Sequence, residues 1–100
     1  MIRHVVMWKF KDSAEGKDKI ENMNTVKNSL YALVPIITEI KKMEIGVDVT
    51  HSDASMDLML LTEFDSVGDM KIYAVHPEHL KVAEYVRKVT ETRVVLDYEI

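Results

Sequence analysis

Apolar and polar residues alternate from the first residues of the chain. Ile2 to Phe10 reads as a strand, with Ile2, His4, Val6, Trp8 and Phe10 on one face and Arg3, Val5, Met7 and Lys9 on the other. Asp12 or Ser13 can cap the helix that follows, and Gly16 weakens its first turn, so the start can lie a few residues later. From Lys17 onward Ile20, Met23, Leu30 and Val34 share a stripe, with Val26 and Leu33 beside it and Lys27 interrupting it. Pro35 closes this helix, because proline disfavours helical geometry in the residue before it. Ile36 to Val49 reads as a second strand, charged in the middle as an edge is, with Gly46 inviting a bulge. Thr50 to Ser55 is a polar loop. Met56 to Phe64 is the third strand, with Leu58, Leu60, Thr62 and Phe64 on one face and Met59 and Leu61 on the other.

Asp65 or Ser66 caps a helix carrying Val67, Met70 and Ile72. It breaks at His76-Pro77. Pro77 and Glu78 suit the first turn of a new helix that carries Leu80, Ala83, Val86 and Val89. Thr92 to Ile100 is the last strand, with Val94, Leu96, Tyr98 and Ile100 on one face. Two crossovers joined by a hairpin predict one α+β domain over residues 1–100. The fold is ferredoxin-like βαββαβ, a four-stranded antiparallel sheet with both helices on one face.

Two helices cover one side of such a sheet, and the other side should then be polar. Here it offers Val5, Met7, Met59 and Leu61, and the pattern adds Val95 from the last strand and Met43, Ile45 and Val47 from the second. An apolar patch of that size predicts a partner. The expected partner is a second copy packed face to face as a two-fold homodimer.

Composition narrows the function. The chain has 100 residues, 47% of them apolar and 30% charged, which is globular. No cysteine is present, so disulfides, thiolate metal sites and a cysteine nucleophile are excluded. The formal net charge is −4 and no basic stripe is present, which argues against nucleic acid as a partner. No apolar run approaches the ~20 residues of a membrane span. The first strand starts at once, without the pattern of a signal peptide, so a cytoplasmic protein is expected.

Candidate chemistry gathers at the helix break, where Tyr73, His76 and His79 fall within seven residues. His79, in the first turn after Pro77, faces the positive end of a helix dipole that disfavours its charged form. It reads either as a turn-stabilising side chain or as a neutral base for an acidic C–H next to a carbonyl. His4, mid-strand on the helix-facing side, is either a hydrogen-bonded core residue or a second acid–base group. Tyr73 either packs at the helix–sheet edge or donates to a carbonyl oxygen that gains charge. His76 reads as a cap for the second helix piece, or as a neighbour of a ligand. Trp8 belongs to the core, or lines a pocket between sheet and helices. Lys27 snorkels to water, or holds an acidic ligand group. His51 lies in a polar loop and is expected to be solvated. His76 and His79 could share a metal with His4, but no further ligand stands at a recognisable spacing, so no metal is expected.

The pieces HVVMWKFKD, FDSV, YAVHPEH and VVLDYEI, in that order and spacing, resemble the stress-responsive dimeric α/β-barrel family over essentially the whole chain. The resemblance implies two ferredoxin-like subunits that pack their sheets into a shared barrel. One member, a plant polyketide cyclase, closes a poly-β-keto chain by intramolecular aldol condensation without metal or cofactor. By position its catalytic pair falls on His4 and His79, and its tyrosine near the break falls on Tyr73. A tyrosine of its first helix falls on Lys27, and a histidine of its third strand falls on Leu58. Part of the constellation is thus kept and two members are replaced. The cofactor-free quinol monooxygenases share the barrel, but their motifs match less well. Three readings stand: a cofactor-independent enzyme acting on a carbonyl compound; a dimer binding a small carbonyl or aromatic ligand near Trp8, Lys27, Leu58 and His76; and a structural dimer.

Overall fold

The computed structural model describes residues 1–100. The elements run β1 (Ile2–Phe10), β2 (Ser13–Ala14), β3 (Lys17–Asp18), α1 (Lys19–Tyr31), β4 (Lys42–Val47), β5 (Leu58–Phe64), α2 (Val67–Val75), α3 (Pro77–Val89) and β6 (Thr90–Glu99). Four strands form one antiparallel sheet in the order β4-β5-β1-β6. With the small β2–β3 hairpin set aside, this is the expected ferredoxin-like βαββαβ arrangement.

Local chemistry explains where each helix starts. α1 is capped by Asp18, not by Asp12 or Ser13. The Asp18 carboxylate accepts the Glu21 N–H at 2.9 Å, and the Glu21 carboxylate reaches back to the Asp18 N–H at 3.5 Å. Residues 13–18 are used instead by the hairpin, whose turn holds Glu15 at φ 53° and Gly16 at φ 75°. Ser66 caps α2 by accepting the Asp69 N–H at 3.1 Å.

The core lies between the helices and one face of the sheet. Val6, Trp8 and Phe10 of β1 meet Leu58, Leu60 and Phe64 of β5 beneath Val26 and Leu30 of α1, with Tyr73, Val86 and Val89 from the broken helix. The buried line of α1 runs through Asn22, Val26 and Leu30. Ile20, expected on the buried stripe, is 70% exposed. Asn22 is fully buried and satisfied: it donates to the Ala14 carbonyl at 3.0 Å and accepts from the Tyr85 hydroxyl, tying the hairpin, α1 and α3 together.

The second strand is shorter than the pattern predicts. α1 ends at Tyr31, and the chain then coils through tight turns in which the Leu33 carbonyl accepts both the Ile36 and Ile37 N–H groups. Ile37 and Ile40 plug the end of the core from this coil, so their apolar character reflects burial and not strand formation.

Register corrects the composition of the bare face. Met43, Ile45 and Val47 pair with Thr62, Leu60 and Leu58, which puts them on the helix side, where Met43 and Ile45 pack against the core. Val95 pairs with Val6 and also lies on the helix side. Val94 and Leu96 take its place on the bare face. They complete two apolar rows, Met59–Met7–Val94 and Leu61–Val5–Leu96, across three strands. A polar row bounds them, in which Arg3 holds Glu63 at 3.1 Å and the Tyr98 hydroxyl at 3.3 Å. Met7, Val94 and Leu96 are 38%, 45% and 61% exposed, so the patch is open. No helix is long and apolar enough to cross a membrane.

Candidate functional site

β6 is an edge strand that the helices leave open, since Arg93, Val95 and Asp97 on its helix side are all exposed. Beside it sits the histidine–tyrosine group. Alternation along β1 points His4 to the helix side, and the antiparallel register sets Asp97 directly opposite. His4 Nδ1 and Asp97 Oδ1 form a hydrogen bond. A carboxylate only accepts, so the proton of this bond sits on Nδ1 and the lone pair of His4 is on Nε2. The side chain of His4 is largely buried, while that of Asp97 is half exposed.

Tyr73 lies on the inner face of α2 and is 2% exposed. Its ring packs on Phe64 at 5.1 Å between centroids, meets His4 edge-on at 6.3 Å and lies 4.2 Å from His79. Burial pushes its hydroxyl well above the usual phenol range, against the opposing charge of Arg93, so it stays protonated. That hydroxyl has no hydrogen-bond partner within the protein, and neither has Trp8 Nε1.

The break between α2 and α3 positions His79. His76 ends one helix and starts the next with extended geometry (φ −61°, ψ 132°), and its Nδ1 accepts the Glu78 N–H at 3.1 Å. Pro77 occupies the first turn, where its missing N–H is harmless. His79 thereby turns back over Tyr73, and its Nδ1 donates to the Ala74 carbonyl at 3.1 Å, one of the groups left unpaired by the end of α2. Its lone pair is therefore on Nε2 as well. Burial lowers the pKa of His79, opposed by the Ala74 hydrogen bond and aided by the nearby charge of Arg93 and the proximity of His4 and His76. At neutral pH His79 is an uncharged base.

The structure thus brings His4, Tyr73 and His79 together and keeps the other expected residues apart. His76 is a cap. Trp8 and Leu58 are core residues, 5% and 2% exposed. Lys27 lies on the wall of a different cavity, beside Met23 and Val47, which neither histidine lines. His51 is exposed in its loop, as expected. Two residues at the site were not foreseen, Asp97 and Arg93. The signal for Asp97 was an acid inside the apolar alternation of the last strand, but only the strand order shows that it faces His4.

Residues 2–100 match the family model described as the stress-responsive A/B barrel domain. The olivetolic acid cyclase of Cannabis sativa is 30% identical over 99 residues, covering 97% of this chain and 94% of that protein. A dimeric protein of unknown function with a ferredoxin-like fold from Bacteroides fragilis superposes with a TM-score of 0.87 at 32% identity, over 99% of this chain and 95% of that one. A dimeric ferredoxin-like protein from Thermobifida fusca gives a TM-score of 0.85 at 20% identity, over 99% of this chain and 90% of that one.

Proposed function

The chain belongs to the stress-responsive A/B barrel domain family, and from that premise we propose that it performs cofactor-independent acid–base chemistry on a small carbonyl compound. The observation that carries this reading is the arrangement of the two histidines. Each has its Nδ1 tied to an oxygen acceptor and its Nε2 lone pair free, and both touch the ring of a tyrosine whose hydroxyl has no partner.

The chemistry follows from those protonation states. His79 Nε2 takes a proton from the carbon next to a carbonyl, and the C–H electron pair moves onto the carbonyl oxygen as an enolate. The Tyr73 hydroxyl donates a hydrogen bond to that oxygen as its charge develops. The enolate carbon then attacks a second carbonyl carbon, which forms the C–C bond of an aldol step. The new alkoxide recovers a proton from the His79 imidazolium. His4, steadied by Asp97, relays that proton through its Nε2 lone pair. The similarity to a cyclase at 30% identity supports a β-keto substrate.

The test compares wild type with His79→Ala on β-keto thioesters, with cyclised products separated and quantified. A fall of about 10²-fold or more is expected for loss of a general base. Equal rates would refute the assignment. A second reading, a structural dimer without catalysis, is favoured by the 2% exposure of Tyr73. It predicts neither saturable binding nor turnover of the same thioesters.

We further propose that the bare face is closed by a second copy; the Bacteroides fragilis and Thermobifida fusca proteins are described as dimeric. Fully burying each of its large apolar side chains would contribute about 1.5–3 kcal/mol before entropy.

A further inference from the structure

We propose that the groove between α1 and the end of β4 is a second ligand site, separate from the histidine–tyrosine group, which takes an amphipathic monocarboxylate: the acid group on Lys27 and the apolar tail along Ile20, Met23 and Val47. The cavity holds about 470 Å³, within the range of small-molecule sites.

Its apolar wall has a structural cause. The capping box starts α1 at Asp18, which turns Ile20 outward at 70% exposure. Met23 and Lys27 follow at three and seven residues along the same line of the helix. Across the gap Val47, the last residue of an edge strand, is 49% exposed. All three apolar side chains line one cavity that nothing in the chain fills.

The charges around that wall are compensated, with one exception. Asp57 accepts the Phe10 N–H at 2.7 Å and lies 3.6 Å from the Lys19 ammonium, which also reaches Asp12. Asp48 is turned into its own loop, where it accepts the His51 N–H at 2.7 Å and the Thr50 hydroxyl at 3.1 Å. Lys27 alone among the charged residues of the wall makes no ion pair and no side-chain hydrogen bond. An uncompensated cation at the end of an apolar strip selects an anion with an apolar tail over a neutral or cationic molecule of the same length.

The experiment titrates the ¹⁵N-labelled protein with octanoate and with octylamine, both below their micelle concentrations. Octanoate is expected to bind saturably and at least tenfold more tightly than octylamine. Its shifts should centre on Ile20–Asn28 and Val47 and leave Tyr73 and His79 unmoved. Lys27→Met keeps a long side chain at a half-buried position. It should reduce octanoate affinity at least tenfold without lowering the melting temperature, while Ile20→Ser should weaken both probes. The proposal is overturned if octanoate fails to saturate, if octylamine binds equally well, if Lys27→Met leaves octanoate binding unchanged, or if the shifts centre on Tyr73 and His79.

Discussion

His79 is an ordinary residue type placed where burial disfavours its charged form. Its folded-state pKa lies below the 6.5 of an unperturbed histidine. The unfolded chain therefore binds more protons in the interval between the two values, and the stability of the fold falls as pH drops through 6.5. Thermal unfolding as a function of pH should show a larger loss for wild type than for His79→Gln below that point. The acid limb of any turnover should likewise lie below 6.5 if His79 is the base. Asp97 acts through His4, so Asp97→Asn should lower turnover about tenfold with KM nearly unchanged, through loss of imidazole orientation. A proportional rise in KM would instead make Asp97 a binding residue. His4, Tyr73 and His79 were legible as candidates because their types and their positions beside a strand and a helix break already carry chemistry. Asp97 and Arg93 were not, since their relevance depends on which strand lies beside β1.

The elements show the same division between local and distant causes. Strand alternation, the His76-Pro77 break and the Ser66 cap are decided within a few residues, and the chain displays them openly. The start of α1 was misplaced because Asp12, Ser13 and Asp18 are all acceptable caps; Asp12 and Asp18 each have a glutamate three residues on, and only Glu21 returns the hydrogen bond to its cap. The hairpin before it and the packing of α3 both lean on Asn22. Asn22→Ala leaves the Tyr85 hydroxyl and the Ala14 carbonyl without this partner, so a loss of about 1–3 kcal/mol in chemical denaturation is expected. A change below a few tenths of a kcal/mol would show that water replaces the amide freely. Ile36 to Ile40 misled for a different reason: β-branched residues suit a strand, but they equally suit a coil that closes the end of a core.

At the scale of the whole molecule, the sheet has one face beneath helices and one without cover. Met7 lies at the centre of an apolar row on the uncovered side and contributes nothing to the packing beneath the helices. Met7→Glu should therefore yield a folded monomer in sedimentation at micromolar concentration, where wild type is expected to sediment as a dimer. A dimer of unchanged stability would show that copies meet elsewhere. The expectation of an apolar bare face was sound in kind. Four of its eight expected members, Met43, Ile45, Val47 and Val95, lie on the other side, and Val94 and Leu96 take up the role. A strand alternates strictly, so an error of one position in phase moves every side chain through the sheet.

What the sequence determined by itself is what neighbours along the chain can settle: the six main elements, the break at Pro77, the exclusion of cysteine chemistry and the identity of three candidate residues. The phase of the last strand, the pairing of His4 with Asp97, the separation of Lys27 from the histidines and the true membership of the bare face were decided only by tertiary structure. Each of these depends on the register between strands distant in sequence. Register is set by the packing of the whole sheet, and no single segment encodes it.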